Sequence, residues 1–178
     1  PMQSKFLSTL IDSGLKKLVV TGTCYEYGMS SGALSEDQET NPNTPYGIAK
    51  DKLRKELFEL QATKRFDLTW TRIFYPYGEG QSSQSLYSLI RDVANSSNPE
   101  IQLSNSEGVL DFISVTELSD ILIILTLSLD NVGVLNLGSG QPKSVINFAR
   151  DIARANNLTV TFSTGVHSSR NFESKCFW

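Results

Sequence analysis

The sequence predicts an α/β fold built on a parallel sheet covered by helices on both faces, and three observations carry that expectation. Short apolar runs rich in β-branched residues, at 17–22, 67–74 and 132–137, read as strands buried on both sides. Segments with helical spacing of apolar residues lie between them, so strand and helix alternate along the chain. A long polar stretch follows the first strand at its C-terminal end, where ligands collect in open α/β sheets.

The elements follow in order. Phe6, Leu7, Leu10, Ile11 and Leu15 recur at helical spacing, and Gly14 is placed to stop that helix. After the strand at 17–22, residues 23–44 are rich in Ser, Gly, Asn and acidic groups and predict a long functional loop. Thr44-Pro45 opens a helix with a capping hydroxyl and a proline at its first position, running to about residue 64 with Leu53, Leu57 and Leu60 on one stripe. The strand at 67–74 ends in turns marked by Pro76, Gly78 and Gly80. A helix over 83–95, strand-like pieces at 101–103 and 109–114, and a strongly apolar helix over 117–128 come next. The strand at 132–137 is closed by Gly138-Ser139-Gly140, and an amphipathic helix over 144–156 leads to a last strand at 159–162. No internal repeat or low-complexity tract interrupts this order. The chain opens inside a helix and stops at Phe177-Trp178 without a terminating signal, so it reads as a fragment.

Composition narrows the function classes. At 178 residues the chain is long enough for one domain with a proper core. A net charge of −3 gives no basic footprint, so no nucleic-acid partner is expected. Cys24 and Cys176 have neither metal-ligand spacing nor the density of a disulfide framework, and no metal site is expected. The longest apolar run, 121–127, is too short to span a bilayer, and the first residues have no signal-peptide pattern. The expectation is a cytoplasmic protein with no membrane partner.

Tyr46 and Lys50 are four apart on the predicted helix, so both side chains leave from one face. An ammonium beside a phenol favours the phenolate, and a tyrosine tuned this way can exchange a proton with a carbonyl or hydroxyl oxygen while hydride moves. Thr23, at the end of a predicted parallel strand, could hold the same oxygen. A bare Tyr-x-x-x-Lys pair is more often two solvated side chains. The buried strand ending in Thr, the long loop and the Thr-Pro cap directly before Tyr46 shift the balance.

Those residues carry a specific resemblance. LVVTGTCYEYG over 18–28, followed by NTPYGIAK over 43–50, resembles the active-site segment of the extended short-chain dehydrogenases/reductases, the sugar-nucleotide epimerase/dehydratase family. The resemblance continues through TRIFYPYGEGQ over 71–81, LDFISV over 110–115 and VLNLGSG over 134–140, and so spans nearly the whole chain. It implies a Rossmann-like, partial doubly wound sheet with a small mixed substrate-binding lobe. It implies a catalytic triad of Thr23, Tyr46 and Lys50, with NAD or NADP as cofactor; Lys50 would also bind its ribose, and Tyr75 and Pro76 would border the nicotinamide. A nucleotide-sugar substrate and a homodimer paired through the Tyr46 helix and its predecessor are implied as well. Gln81, in a polar stretch that could also be a plain flexible loop, and Arg170, which with Glu173 resembles a later nucleotide-gripping element, are the candidate substrate contacts.

The departures from the family pattern narrow the chemistry. The Gly-rich loop that places cofactor pyrophosphate on a helix N-terminus has no counterpart here, and 138–140 reads as a tight turn. Family dehydratases carry Asp-Glu after the Thr, where Cys24-Tyr25 stand, so elimination of water is disfavoured. The cysteine of bifunctional epimerase-reductases would fall at Tyr25. Asn is common in the family where Tyr75 stands, and Leu110 replaces an Arg that would contact phosphate bidentately. What remains is reduction of a 4-keto sugar or epimerisation at carbon 4. The rival is a non-catalytic member kept for binding or dimerisation.

Other residues have blander expectations. Arg72 either orients substrate or pairs with a neighbouring carboxylate; Cys24 reads as a small packing residue; His167 reads as a solvated loop residue; Leu57 and Phe58 belong to the core or a dimer face. The expected division is 1–80 as the distal part of the sheet domain carrying the Thr/Tyr/Lys site, and 81–178 as mainly the substrate lobe with returning sheet strands.

Overall fold

The computed structural model describes residues 2–94, 96–164 and 176–177. Its centre is a three-stranded parallel sheet of β1 (Lys17–Thr23), β2 (Asp67–Ile73) and β7 (Gly133–Leu137), in the order β1-β2-β7. Each strand alternates its side chains between faces, and both faces are covered. Leu18, Val20, Leu68 and Trp70 pack on Leu7 and Ile11 of α1 (Met2–Asp12) and on Leu53 and Leu57 of α2 (Pro45–Gln61). Val19, Ile73, Leu135 and Leu137 pack on the opposite side against Leu118, Ile121, Leu122 and Leu125 of α4 (Val115–Leu127). Gly14, with φ at +99°, takes the left-handed conformation that ends the first helix, as its position predicts.

A second cluster forms beyond the sheet. The strands β4 (Glu100–Leu103) and β9 (Thr161–Thr164) pair in parallel beside α3 (Leu86–Val93) and α5 (Val145–Ala155), burying Ile90, Ile101, Leu103, Phe148 and Ile152 together. The Phe148 ring stacks on Phe112 at 3.8 Å and meets Tyr77 edge-on at 4.9 Å. Two short ladders join cluster to sheet: β3 (Tyr75–Tyr77) runs parallel to β6 (Phe112–Ser114), and β5 (Val109–Leu110) lies between β8 (Lys143–Ser144), antiparallel, and β10 (Cys176–Phe177), parallel.

The strand expected over 109–114 is broken at Asp111. Its buried carboxylate accepts hydrogen bonds from Ser139 N–H at 2.7 Å, Ser139 Oγ at 2.6 Å and Gly140 N–H at 2.9 Å. A Cβ on Gly138 would lie 2.3 Å from Asp111 Oδ2, so that glycine admits the clamp. The turn at 138–140 therefore wraps a carboxylate of this chain.

Candidate active site

At its C-terminal end β1 delivers Thr23 in extended conformation, and the chain then folds into a 3-10 turn, Cys24–Tyr27. Thr23 caps that turn: its Oγ1 accepts the Tyr25 N–H at 3.3 Å, while Glu26 Oε1 accepts the Thr23 N–H at 2.9 Å. This is a reciprocal capping box, encoded by Thr23-Cys-Tyr-Glu26. Tyr46 stands in the first turn of α2, fixed by the Thr44 hydroxyl, which accepts the Gly47 N–H at 3.0 Å. A Cβ on Gly47 would lie 2.7 Å from the Tyr25 carbonyl oxygen, so glycine lets α2 press directly onto the turn that follows Thr23.

These placements produce one cleft of about 350 Å³ at the C-terminal ends of β1 and β2. Thr23, Tyr46, Tyr75, Pro76 and Gln81 all line it, together with Thr21, Gly22, Tyr25, Ile73 and Phe74. Thr23 is 5% exposed and Tyr46 54%, so a buried hydroxyl and a half-open phenol share the space. The Tyr75 ring meets Tyr25 edge-on at 6.3 Å across the floor. The Gln81 amide is engaged locally, donating to the Pro76 carbonyl at 2.8 Å and accepting from Gly78 N–H at 3.3 Å, so it shapes the rim of the cleft.

Lys50 is one helical turn from Tyr46 but does not acidify it. Its Nζ donates to the Thr21 carbonyl at 2.7 Å and lies 5.9 Å from the centre of the Tyr46 ring. Burial pushes the Tyr46 phenol above its ordinary value, and the negative charge of Glu26 adds to that rise. Burial also pulls the Lys50 ammonium down, against the opposing effect of Glu26. The expected depression of the tyrosine is thus corrected: partial burial and a nearby carboxylate outweigh an ammonium held by a backbone oxygen.

Beneath the cleft, Arg72 resolves into the structural alternative. Its Nε donates to Glu26 Oε2 at 3.0 Å, and its Nη1 donates to the Tyr27 hydroxyl at 2.8 Å and the Glu36 carbonyl at 3.2 Å. Tyr27 in turn reaches Asn136 Oδ1 at 2.7 Å, and the Asn136 side chain donates to the Leu34 carbonyl at 3.0 Å. The loop after Tyr27 is pinned through these contacts to the edge strand β7. Cys24 is buried, and desolvation pushes its thiol up to about 12, which leaves it protonated and inert as a nucleophile. Arg170, Glu173 and His167 lie outside the described residues.

Sequence reasoning missed Glu26 and Asp111. A Thr-x-x-Glu spacing directly after a strand is the signal that could have found the first; nothing local to Asp111 announces the second.

Comparison with known proteins follows the same lines. A family model described as the NAD dependent epimerase/dehydratase family matches residues 2–138. The chain is 28% identical to dTDP-6-deoxy-L-talose 4-dehydrogenase (NAD(+)) of Aggregatibacter actinomycetemcomitans, over 98% of this chain and 64% of that protein. It is 26% identical to UDP-glucose 4-epimerase of Neisseria meningitidis serogroup C, over 93% and 55%. The crystal structure of UDP-glucuronic acid 4-epimerase from Bacillus cereus, in complex with UDP-glucuronic acid and NAD, superposes with a TM-score of 0.83 at 21% identity, covering 98% of this chain and 56% of that one. The chain thus spans between about half and two-thirds of the length of these relatives. With 137 contiguous residues under the family model and the site motifs inside them, the chain belongs to the NAD dependent epimerase/dehydratase family.

Proposed function

We propose that this chain supplies the substrate-side half of an NAD(P)-dependent enzyme that reduces, or epimerises through, the 4-keto form of a nucleotide-activated sugar. The observation that carries the reading is the convergence of Thr23, Tyr46, Tyr75 and Pro76 on one cleft at the ends of parallel strands. Relatives named as a 4-dehydrogenase and a 4-epimerase support the carbon-4 assignment. Residues 1–80 carry the site, and 81–178 mainly form the lobe over the sugar nucleotide, returning β7 to the sheet.

The cleft fits the nicotinamide end of the cofactor: Tyr75 and Pro76, which line it, would border the ring, and Tyr46 with Lys50 would hold the adjoining ribose. The turn at 138–140 makes no cradle for its diphosphate, because the N–H groups of Ser139 and Gly140 are already given to Asp111. When bound, the cofactor supplies reversible hydride transfer. Thr23 orients the substrate oxygen by hydrogen bonding, and Tyr46 exchanges its proton with that oxygen. Lys50 ties α2 to the end of β1 through the Thr21 carbonyl, and would hold the cofactor ribose on release from that bond. Gln81, at the rim of the cleft, is the described residue that would contact the nucleotide sugar.

No helix among the described residues is long and apolar enough to cross a membrane. A homodimer through α1 and α2 is part of the same reading.

The test uses the protein with whatever native sequence flanks this chain, a nucleotide 4-keto-hexose and reduced cofactor. Tyr46→Phe should lower turnover by about a hundredfold or more while leaving the circular dichroism spectrum unchanged. Wild-type turnover in that variant removes Tyr46 from the mechanism.

A further inference from the structure

The most elaborate polar arrangement in the molecule is hidden beneath the cleft, around a carboxylate that the proposed chemistry does not use. Glu26 is 0% exposed. Its Oε1 accepts the Thr23 N–H at 2.9 Å, Trp70 Nε1 donates to both oxygens at 3.0 and 3.1 Å, and Arg72 Nε donates to Oε2 at 3.0 Å. Arg54 of α2 adds a further positive charge, its Nε 3.5 Å from Oε2. An isolated buried carboxylate is strongly disfavoured, and even a paired one is often replaceable by apolar side chains at no loss of stability. The surroundings must therefore give this one a use.

Gly22 shows how far those surroundings are shaped. A Cβ there would lie 2.2 Å from Trp70 Nε1 and 2.5 Å from Glu26 Oε1. The residue directly before Thr23 has no side chain, and the space is filled by the Trp70–Glu26 hydrogen bond. The end of β1, the 3-10 turn, β2 and α2 are all joined at one carboxylate, and the group it holds by the backbone is Thr23. Thr23 is constrained twice, since its N–H is given to Glu26 and its Oγ1 accepts from Tyr25. With both bonds made, neither the main chain nor the hydroxyl can rotate independently of the turn.

We propose that Glu26 is a positioning residue: anchored to β2 by Trp70 and Arg72, its carboxylate holds the Thr23 backbone N–H and so sets where the Thr23 side chain enters the cleft that Tyr46 also lines. This rests on the reading of Thr23 and Tyr46 as the proton-handling pair. The carboxylate also acts through space. It raises the proton affinity of Tyr46 and opposes the loss of charge at Lys50. The charged and titratable groups around it are Arg72 from β2, Arg54, Lys50 and Tyr46 from α2, and Cys24 and Tyr27 from the turn.

The experiment is Glu26→Gln in the full-length protein with cofactor and nucleotide 4-keto-hexose, beside Tyr46→Phe. The amide keeps the shape but loses the charge and offers Thr23 a weaker acceptor. The expected result is a kcat lower by on the order of tenfold to a hundredfold, with KM changed by no more than about twofold. In the reductive direction activity is lost as Tyr46 deprotonates, so the alkaline limb of the kcat profile should move to lower pH in the variant. A lower melting temperature with wild-type kcat, KM and pH profile overturns the proposal, because the carboxylate is then only part of the core. Should Glu26→Gln fail to fold, the double change Glu26→Gln with Arg72→Gln removes both charges together and is read by the same criteria. Full turnover in Tyr46→Phe overturns the functional reading and this proposal with it. A dead Tyr46→Phe beside a kinetically normal Glu26→Gln overturns this proposal alone.

Discussion

Two residues with small or short side chains, Gly22 and Asp51, show how the site is held at the residue scale. Gly22 stands where any Cβ would collide with the Trp70 indole nitrogen and a Glu26 oxygen, both buried. Gly22→Ala must therefore separate a hydrogen-bonded pair that has no room to relax. Overpacking of this kind costs about 1–3 kcal/mol, and urea denaturation should place the variant at the upper end of that range. Asp51, also buried, ties the loop to α2: Thr40 donates to it at 2.9 Å, Arg54 at 2.8 Å, and Lys55 pairs with it at 2.7 Å. Burial alone would raise its pKa, but hydrogen bonds from Lys55, Arg54 and Thr40 outweigh that and lower it. A carboxyl lowered by folding contributes stability above its unfolded pKa, near 3.9, and loses it as pH falls through the folded value. Asp51→Asn should therefore cost about 1–2 kcal/mol at neutral pH, and the gap from wild type should close below about pH 4. A gap that stays constant down to the acid transition would show that the charge of Asp51 is not what holds the loop.

Among the elements, the turn at 138–140 makes the clearest demand on one side chain. Asp111 satisfies two backbone N–H groups and a hydroxyl there, so Asp111→Asn turns one acceptor oxygen into a donor facing donors. The expected loss is about 2–3 kcal/mol in chemical denaturation, with the β5 and β6 region exchanging its amide protons faster than the β1-β2-β7 sheet. The same residue explains what the sequence hid. Continuous apolar runs announced β1, β2 and β7, and the Thr-Pro cap announced α2, because a buried strand and a helix start each leave a local signature. The break at Asp111 left none, since the groups it binds lie 28 and 29 residues further along the chain. The two- and three-residue ladders β3, β5, β6 and β8 are likewise created by what they pair with. Spacing and resemblance pointed to Thr23, Tyr46 and Lys50 as candidates, and the structure brings Thr23 and Tyr46 to one cleft while Lys50 rests on the Thr21 carbonyl. The electrostatic state of Tyr46 was not legible, because it depends on Glu26 and on the distance at which the Lys50 side chain settles.

For the whole molecule, two open apolar surfaces can be compared as sites for the proposed dimer. On one side of the sheet, α1 and α2 leave a groove of about 510 Å³ lined by Pro45, Ile48, Ala49 and Leu53, with Phe6 60% and Ile48 51% exposed. On the other, α4 and the residues after it expose Ile123, Ile124, Leu127 and Leu129. Exposed apolar patches of either kind mark contact surfaces. They differ in what lies beside them. The groove is bounded by Gln3, Ser4 and Lys52, polar residues that can form a rim around an apolar centre, and it lies on the helix that carries Tyr46. A second copy docking there would brace α2 in both subunits, and so would hold Tyr46 and Lys50 steady across the dyad. The helix α4 carries none of the proposed catalytic residues and meets the cleft through Ile73. Sedimentation of the wild-type protein at micromolar concentration should therefore give a dimer. Phe6→Glu with Ile48→Glu should give a folded monomer, since two like charges would face two more across the symmetric contact. Ile124→Glu with Leu127→Glu should leave the dimer intact. A wild-type protein that sediments as a monomer would remove the dimer from the reading, and a dimer that yields only to the α4 substitutions would place the contact on the other face of the sheet and detach α2 from assembly.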